Sequence, residues 1–183
     1  SHRVSRLAHQ LFELAQLEHE ETQPQRELFS MAELVQDVAQ KYVLTAERRE
    51  ITLQAYADEE SLFVRGDIGM IERVISNLLD NAIRHTSERG EIRLEARRDH
   101  TDIEVCVIDN GKGIEAAHLP DLLERGSPLR MAAVQRGGGL GLQIAKRILS
   151  LHGSHIRAVS QLGHGTRISF QLPLEHAVAE SVA

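Results

Sequence analysis

One cysteine, no tryptophan and an aromatic content of 3% leave this chain of 183 residues poor in several kinds of chemistry. A single thiol, Cys106, closes no intramolecular disulfide and builds no cysteine-rich zinc site. So few aromatic side chains supply little material for base stacking or an aromatic cage. Positive charge is also in deficit. Lys and Arg number 21 against 27 Asp and Glu, a net charge of -6. Binders of a phosphate backbone usually carry the opposite balance, so no nucleic-acid partner is expected. No apolar run approaches the roughly 18 residues of a membrane span, and no basic-then-apolar signal segment is present. The chain begins at Ser1 without a methionine. It reads as a soluble piece cut from a longer protein, and that parent could still be membrane-bound. A hydrophobic content of 42% is enough for a real core. The length suits one ordinary domain with an appendage.

The appendage comes first. Val4, Leu7, Leu11 and Leu14 follow a 3-4-3 spacing, so residues 1–21 predict a helix with one apolar seam. That helix can pack on its own domain or form a dimer, and the spacing alone favours packing on its own domain, since two heptads is short. Pro24 disfavours helix at Gln23, which places a linker at 22–29. The main domain spans 30–174. Ser30 and Glu33 form a capping box before a helix with Leu34, Val35, Val38 and Tyr42 on one face. Strands are expected at 51–57, 91–97, 103–108, 155–160 and 166–172, with a short one at 62–65. Asp67 caps a long helix that ends near Thr86. Another helix follows the glycines at 137–141 and stops at His152-Gly153, read as a cation followed by a terminating glycine. Residues 175–183 read as a tail. Consecutive hairpins point to an α+β fold: a two-layer α/β sandwich with a mixed, mostly antiparallel sheet and helices on one face. A doubly wound sheet would need strict strand–helix alternation.

Four stretches can carry chemistry. In Asn77-Leu78-Leu79-Asp80-Asn81-Ala82-Ile83-Arg84-His85, residues Asn77, Asn81 and Arg84 share one helix face that borders the apolar stripe. Amide oxygens are hard ligands for magnesium, and a guanidinium suits phosphate. A solvated flank with two incidental asparagines is an equal reading of that stretch alone. Asp109-Asn110-Gly111-Lys112-Gly113-Ile114 follows the most apolar strand. Its carboxylate can accept from a ligand amine, and its glycines let a ligand approach backbone. In isolation it reads as a plain Asp-Asn-Gly turn. Gly137-Gly138-Gly139-Leu140-Gly141-Leu142 opens a helix, where exposed N–H groups and the helix dipole favour an anion. It matches no P-loop, and it lacks the preceding strand of a Rossmann turn. Gly163-His164-Gly165-Thr166 needs no ligand to exist as a turn.

In this order and spacing, the four stretches resemble the N, G1, G2 and last glycine boxes of the catalytic domain of bacterial sensor histidine kinases. That domain belongs to the superfamily of gyrase, the ninety-kilodalton chaperones and the mismatch-repair ATPases (the Bergerat ATP-binding fold). The resemblance covers about residues 28–174, and Leu151-His152-Gly153 also looks like the kinase pattern. Residues 1–21 are similar to the second helix of the dimerisation and phosphoacceptor hairpin, which favours the dimer reading.

The resemblance implies the site. ATP and Mg2+ are the expected cofactors. Asn81 would be the main magnesium ligand, supported by Asn77, with Arg84 and His85 near the phosphates. Asp109 would accept from the adenine amino group in a pocket shaped by Gly111, Lys112, Gly113 and Ile114. Gly137, Gly138, Gly139, Leu140, Gly141 and Leu142 would wrap the triphosphate, and Thr166 would lie near Asp109 beneath the base. Residues 115–136 would form an ATP lid.

Two departures from the family pattern stand out. Hydrolytic members carry a glutamate at the position of Asn77, where it polarises a water, and an amide cannot act as a base. That favours phosphoryl transfer over hydrolysis. Leu119-Pro120-Asp121-Leu122-Leu123-Glu124-Arg125 stands where a phenylalanine pair is usual. It motivates an alternative, a degenerate kinase-like module that acts by association with weak or no nucleotide binding. A hydrolytic ATPase is the third reading. His2, His9 and His19 are read as lacking the His-Glu/Asp-x-x-x-Pro surrounding of a phosphoacceptor. The acceptor histidine is therefore expected upstream, no catalytic residue is expected in this chain, and the chain is expected to bind ATP without phosphorylating itself. Expected partners are a response-regulator receiver domain and a second copy through the hairpin.

Overall fold

The computed structural model describes residues 1–58, 61–119 and 140–176. Helix α1 (His2–Glu18) precedes strand β1 (Glu27–Ser30) and helix α2 (Met31–Glu47). Strands β2 (Thr52–Ala57) and β3 (Phe63–Gly66) lead to the long helix α3 (Ile68–His85). The hairpin of β4 (Glu91–Asp99) and β5 (Asp102–Asp109) is followed by a single 3-10 turn (Ala116–His118). Helix α4 (Gly141–Leu151) then leads into β6 (Arg157–Gln161) and β7 (Gly165–Pro173).

Side-chain caps set the helix starts. The Ser30 hydroxyl accepts from the Glu33 amide at 3.2 Å, and the Asp67 carboxylate accepts from the Met70 amide at 3.1 Å. Helix α3 ends at Thr86, whose hydroxyl donates back to the Ala82 carbonyl at 2.7 Å.

The main sheet runs β2-β4-β5-β7-β6. Only β2 and β4 are parallel, and the other neighbours are antiparallel, so the sheet is mixed and mostly antiparallel as expected. Register sorts its two faces. Leu53 faces Ile92, Leu94 faces Val107, and Val107 faces Ile168. Ala96, Val105 and Phe170 form the next row. These side chains join the buried stripes of α2, α3 and α4 (Leu34, Val38, Ile71, Val74, Leu78, Ile144 and Ile148) in one core. The described helices α2, α3 and α4 cover this face of the sheet, and burying such apolar surface stabilises by roughly 25 cal/mol per Å². The opposite face carries Arg93, Glu95 and Arg97, with the Arg97 guanidinium 3.2 Å from the Glu95 carboxylate.

Three details differ from expectation. Glu27–Ser30, placed partly in the linker, is a strand paired with Phe63–Gly66 in a separate two-stranded sheet. Four residues are too few to display a period of two, which hides such a strand in the sequence. The β4 strand runs on to Asp99, so the hairpin turns at His100, which takes φ 56. His152, read as a helix-ending cation, is a buried neutral ring. Its Nε2 accepts from the Asp67 amide at 3.1 Å, its Nδ1 meets the Ile148 carbonyl at 2.8 Å, and burial lowers its pKa.

Helix α1 uses two faces. Leu17 is buried, and Glu13 forms a two-pronged ion pair with Arg73 of α3 at 2.9 and 3.0 Å. Gln10 accepts from the Leu140 amide at 3.3 Å, and the Arg147 guanidinium donates to the Leu17 carbonyl at 3.0 Å. The predicted seam is split by this docking. Leu14 packs inward against the core, while Val4 and Leu11, with Phe12, stay exposed.

Candidate functional site

At one end of the helix-facing side of the sheet, the apolar rows give way to a polar one. Ile92 of β4, Asp109 of β5, Thr166 of β7 and Ser160 of β6 are direct cross-strand partners. Asp109 and Thr166 are both buried. The Asp109 carboxylate accepts from the Gly111 amide at 2.9 Å, and the backbone amide of Thr166 stands across from it on β7. Burial raises its pKa above the ordinary value, and those two donors pull the other way. An ionised carboxylate has about four lone-pair sites, so this one keeps capacity for a ligand donor.

The backbone around Asp109 is crowded, which explains the glycines. A Cβ on Gly165 would sit 2.0 Å from the Asp109 carbonyl oxygen, and its φ of 95 is in the left-handed region. A Cβ on Gly113 would sit 2.2 Å from the Gln161 carbonyl oxygen, at φ 72. The loop after Asp109 is thereby pressed onto the β6–β7 turn, where the Gly163 amide donates to the Lys112 carbonyl at 2.7 Å. Ile114 closes the loop by donating its amide to the Ser160 hydroxyl at 2.7 Å.

Helix α3 supplies the second wall. Asn77 and Asn81 do not merely border the apolar stripe, for they are 3% and 5% exposed. The Asn77 side-chain amide nitrogen is buried and has no hydrogen-bond partner among the described residues. An orphaned buried donor is costly, and it calls for an acceptor such as a phosphate oxygen or a water. Asn81 Oδ1 accepts from the Arg84 guanidinium at 3.0 Å. The helix ends against the Asp109 loop, since a Cβ on Gly111 would sit 2.3 Å from the His85 carbonyl oxygen. Burial first, then the charges of Arg84 and Lys112, push the His85 pKa down to about 4, so its ring is neutral at pH 7.

The start of α4 forms the third wall. Gly141 lies over Asn77, with an added Cβ 3.4 Å from its side chain. Leu140 is buried beside it, and Leu142 is half-buried against the core. Gly137, Gly138, Gly139 and most of the expected lid lie outside the described residues, as does Pro120 to Arg125. The structure thus brings Asp109, Gly111, Gly113, Ile114 and Thr166 together on one side, and Asn77, Asn81, Gly141 and Leu140 on the other. His85 and Lys112 stand at the junction.

Two polar residues of this region have no role assigned from the sequence. Asn110 accepts from the Glu91 amide at 2.8 Å and pins the loop to β4. Ser160 is the polar member of an inward-facing pair with Ala158, a break in alternation that the β6 sequence does contain.

No group of three or more His, Cys, Asp or Glu that could hold a metal occurs among the described residues. Magnesium keeps several waters and takes only one or two protein oxygens beside substrate phosphates. An amide pair such as Asn77 and Asn81 fits that demand, and the orphaned Asn77 nitrogen fits an oxygen acceptor beside it.

The acceptor reading needs one correction. Residues 19–24 read His-Glu-Glu-Thr-Gln-Pro and do have the His-Glu-x-x-x-Pro order. His19 is the residue that ends α1, with extended backbone (φ -64, ψ 131), and Pro24 leads away toward β1. Along the helix axis it is roughly 14 Å beyond Gln10, the residue that reaches the Leu140 amide. The motif order is therefore present without a helix around it.

A model of the family described as histidine kinase-, DNA gyrase B-, and HSP90-like ATPases matches residues 66–176, from the end of β3 through β7. The chain belongs to this ATPase family. A curated relative in it, the alginate biosynthesis sensor protein KinB of Pseudomonas aeruginosa, is 38% identical over 145 residues. That match covers 79% of this chain and 24% of the relative, so the chain spans about a quarter of that protein's length. Among solved structures, the catalytic domain of histidine kinase ThkA superposes with a TM-score of 0.72 at 26% identity, covering 82% of this chain and 96% of that one. Histidine kinase ThkA in complex with response regulator protein TrrA gives a TM-score of 0.77 at 24% identity, a likeness of fold, over 94% of this chain and 48% of that one. Within the family, the five-stranded sheet and its helix layer are the shared frame.

Proposed function

We propose that this chain is the ATP-binding catalytic portion of a two-component sensor histidine kinase. The observations that carry the reading are the buried polar row Asp109–Thr166 on the sheet and, on α3, the orphaned buried amide of Asn77 beneath Gly141. Asp109 accepts from the amino group of the purine. Gly111, Gly113 and Ile114 shape the loop against which the base rests. Asn77, the first residues of α4 and Arg84 provide donors to the phosphates. Magnesium, when bound, neutralises charge on the phosphate oxygens, and Asn81 with Asn77 would hold it.

The reaction is phosphoryl transfer. The bond from the γ-phosphorus to the ADP oxygen breaks, and a bond to an imidazole nitrogen forms on the dimerisation hairpin. The group then passes to a receiver-domain aspartate. Such catalysis is mostly positioning and charge neutralisation, and no general base is needed at Asn77. A receiver-domain partner agrees with the response-regulator complex of ThkA, and the exposed Val4, Leu11 and Phe12 of α1 leave an apolar face for a second copy. No described helix is long and apolar enough to cross a membrane, and an inner-membrane parent remains part of the proposal.

The test is calorimetric titration of the chain with ATP, with and without magnesium. It is followed by mixing with a separate hairpin that carries the acceptor histidine, and then with a receiver domain. Tighter binding with magnesium and label transfer in that order are the expected results. No ATP or ADP binding at millimolar ligand would overturn the reading in favour of a module that acts by association. Steady phosphate release without an acceptor would point to hydrolysis instead.

A further inference from the structure

Ser160 has no part in the machinery above, yet its hydroxyl is the most connected one in the region. It stands on β6 directly across from Thr166, which stands across from Asp109. Its oxygen is 2.7 Å from the Ile114 amide, 2.9 Å from the Gly165 carbonyl and 2.8 Å from the Thr166 hydroxyl.

A serine hydroxyl has one proton and two acceptor positions. The Ile114 amide can only donate, so it takes one acceptor position. The Gly165 carbonyl can only accept, so it takes the single proton. One acceptor position remains, and the Thr166 hydroxyl must donate into it. The Thr166 proton is then committed to Ser160, and its oxygen offers the pocket acceptor character only. The ionised Asp109 carboxylate next to it is also acceptor-only. The whole polar row therefore asks its ligand for N–H donors and repels a carbonyl oxygen.

We infer that Ser160 is a positioning residue for base specificity: by fixing the proton of Thr166, it makes the pocket select a 6-amino purine over a 6-oxo purine. The inference rests on the proposed nucleotide site. It extends that reading by naming the residue that sets the hydrogen-bond polarity of the pocket. With Ser160→Ala, the Thr166 hydroxyl is free to rotate and donate outward, so a 6-oxo ring meets a donor where it met an acceptor.

The experiment compares ATP with inosine triphosphate, which differs only at the 6-amino edge, by calorimetric titration of the intact chain. Wild type should prefer ATP strongly. In Ser160→Ala the ratio of the two dissociation constants should narrow by roughly ten-fold, the size of one hydrogen-bond mismatch. Ser160→Thr, which keeps the hydroxyl, should restore it. Ser160→Cys keeps the side-chain size with weaker hydrogen bonds, and it gives the same readout should the alanine protein not fold. A merely structural Ser160 would weaken both nucleotides equally, and an unchanged ratio in the alanine and cysteine variants overturns the inference. Asp109→Asn separates the two levels. Unaltered ATP affinity in that variant removes the nucleotide site itself. Weakened ATP binding there, with an unmoved ratio at position 160, removes only the role given to Ser160.

Discussion

Thr166 stands directly across β5 and β7 from Asp109, and its backbone amide acts with that of Gly111 to lower the pKa that burial of the Asp109 carboxylate raises. The same carboxylate also holds the Gly111 amide at 2.9 Å. Asp109 thus ties a loop and a strand together before any ligand is considered. Replacing it with asparagine leaves an oxygen able to accept one of those amides, so the fold should survive. The contact to a ligand amine loses its charge. ATP affinity should fall by roughly 10- to 100-fold, the range for a hydrogen bond to a charged group. Calorimetric titration of Asp109→Asn beside a thermal unfolding scan checks both halves.

Two glycines of one turn give a controlled comparison. Gly163 and Gly165 both have positive φ, 82 and 95. An added Cβ at Gly163 meets nothing within 4 Å, whereas at Gly165 it meets the Asp109 carbonyl oxygen at 2.0 Å. Gly163→Ala should cost only the conformational penalty, on the order of 1–2 kcal/mol. Gly165→Ala adds a backbone collision and should cost on the order of 2 kcal/mol more, with nucleotide affinity falling as Asp109 is displaced. Chemical denaturation of both variants measures the difference, and equal losses would contradict the crowding.

Legibility in the sequence followed the length and redundancy of each signal. Helix α3 announced itself through a cap at Asp67, a long apolar stripe and a stop at Thr86, and all three are present. Strand β5 is apolar on both faces and lies in the middle of the sheet. The close backbone approach at Gly111, Gly113 and Gly165 was legible because glycines at fixed spacing serve few other purposes. The short strand β1 and the neutral state of His152 were not. The first has too few residues for a period, and the second depends on Asp67, 85 positions away in the chain. The split use of α1 was equally hidden, because Glu13 reads as a solvent residue until Arg73 stands opposite. His19 shows the converse: a motif order is visible in the sequence, and the helix that would make it an acceptor is missing.

The docking of α1 should be measurable as a coupling. Glu13 and Arg73 meet through two parallel hydrogen bonds and are both partly shielded from solvent. Bidentate geometry places the pair at the upper end for surface ion pairs, about 1 kcal/mol. A double-mutant cycle of Glu13→Gln and Arg73→Gln, followed by denaturant unfolding, should return that coupling. A value near zero would show that Leu17 and the Gln10–Leu140 contact hold the helix without the pair.

Stability should depend on pH through His85. Its ring is neutral in the folded chain down to about pH 4, while an unfolded histidine takes a proton near 6.5. Between those values the unfolded state binds more protons than the folded one. The unfolding free energy therefore falls as pH drops from 6.5 toward 4, by at most about 1.4 kcal/mol per pH unit for this ring, and is unaffected by it above 6.5. His152, whose pKa burial also lowers, acts with the same sign. A nuclear magnetic resonance titration should show the His85 ring signals unmoved between pH 7 and 5. A midpoint near 6.5 would contradict its burial.

The last expectation concerns the chain's own phosphorylation. His19 has the His-Glu-x-x-x-Pro order, but its Nδ1 accepts from the Glu21 amide at 3.3 Å, and it ends its helix instead of sitting within one. Docking fixes its distance from the site, since Gln10, Glu13 and Leu17 are all engaged with the domain. Transfer requires the imidazole nitrogen and the γ-phosphorus to come within about 3–3.5 Å, and roughly two and a half helical turns separate His19 from the residue that touches the start of α4. Radiolabelled ATP should leave no acid-labile label on the isolated chain. Label that appears and is lost in His19→Ala would show that α1 undocks and refolds around this motif. Label that persists in His19→Ala would place an acceptor elsewhere in these 183 residues.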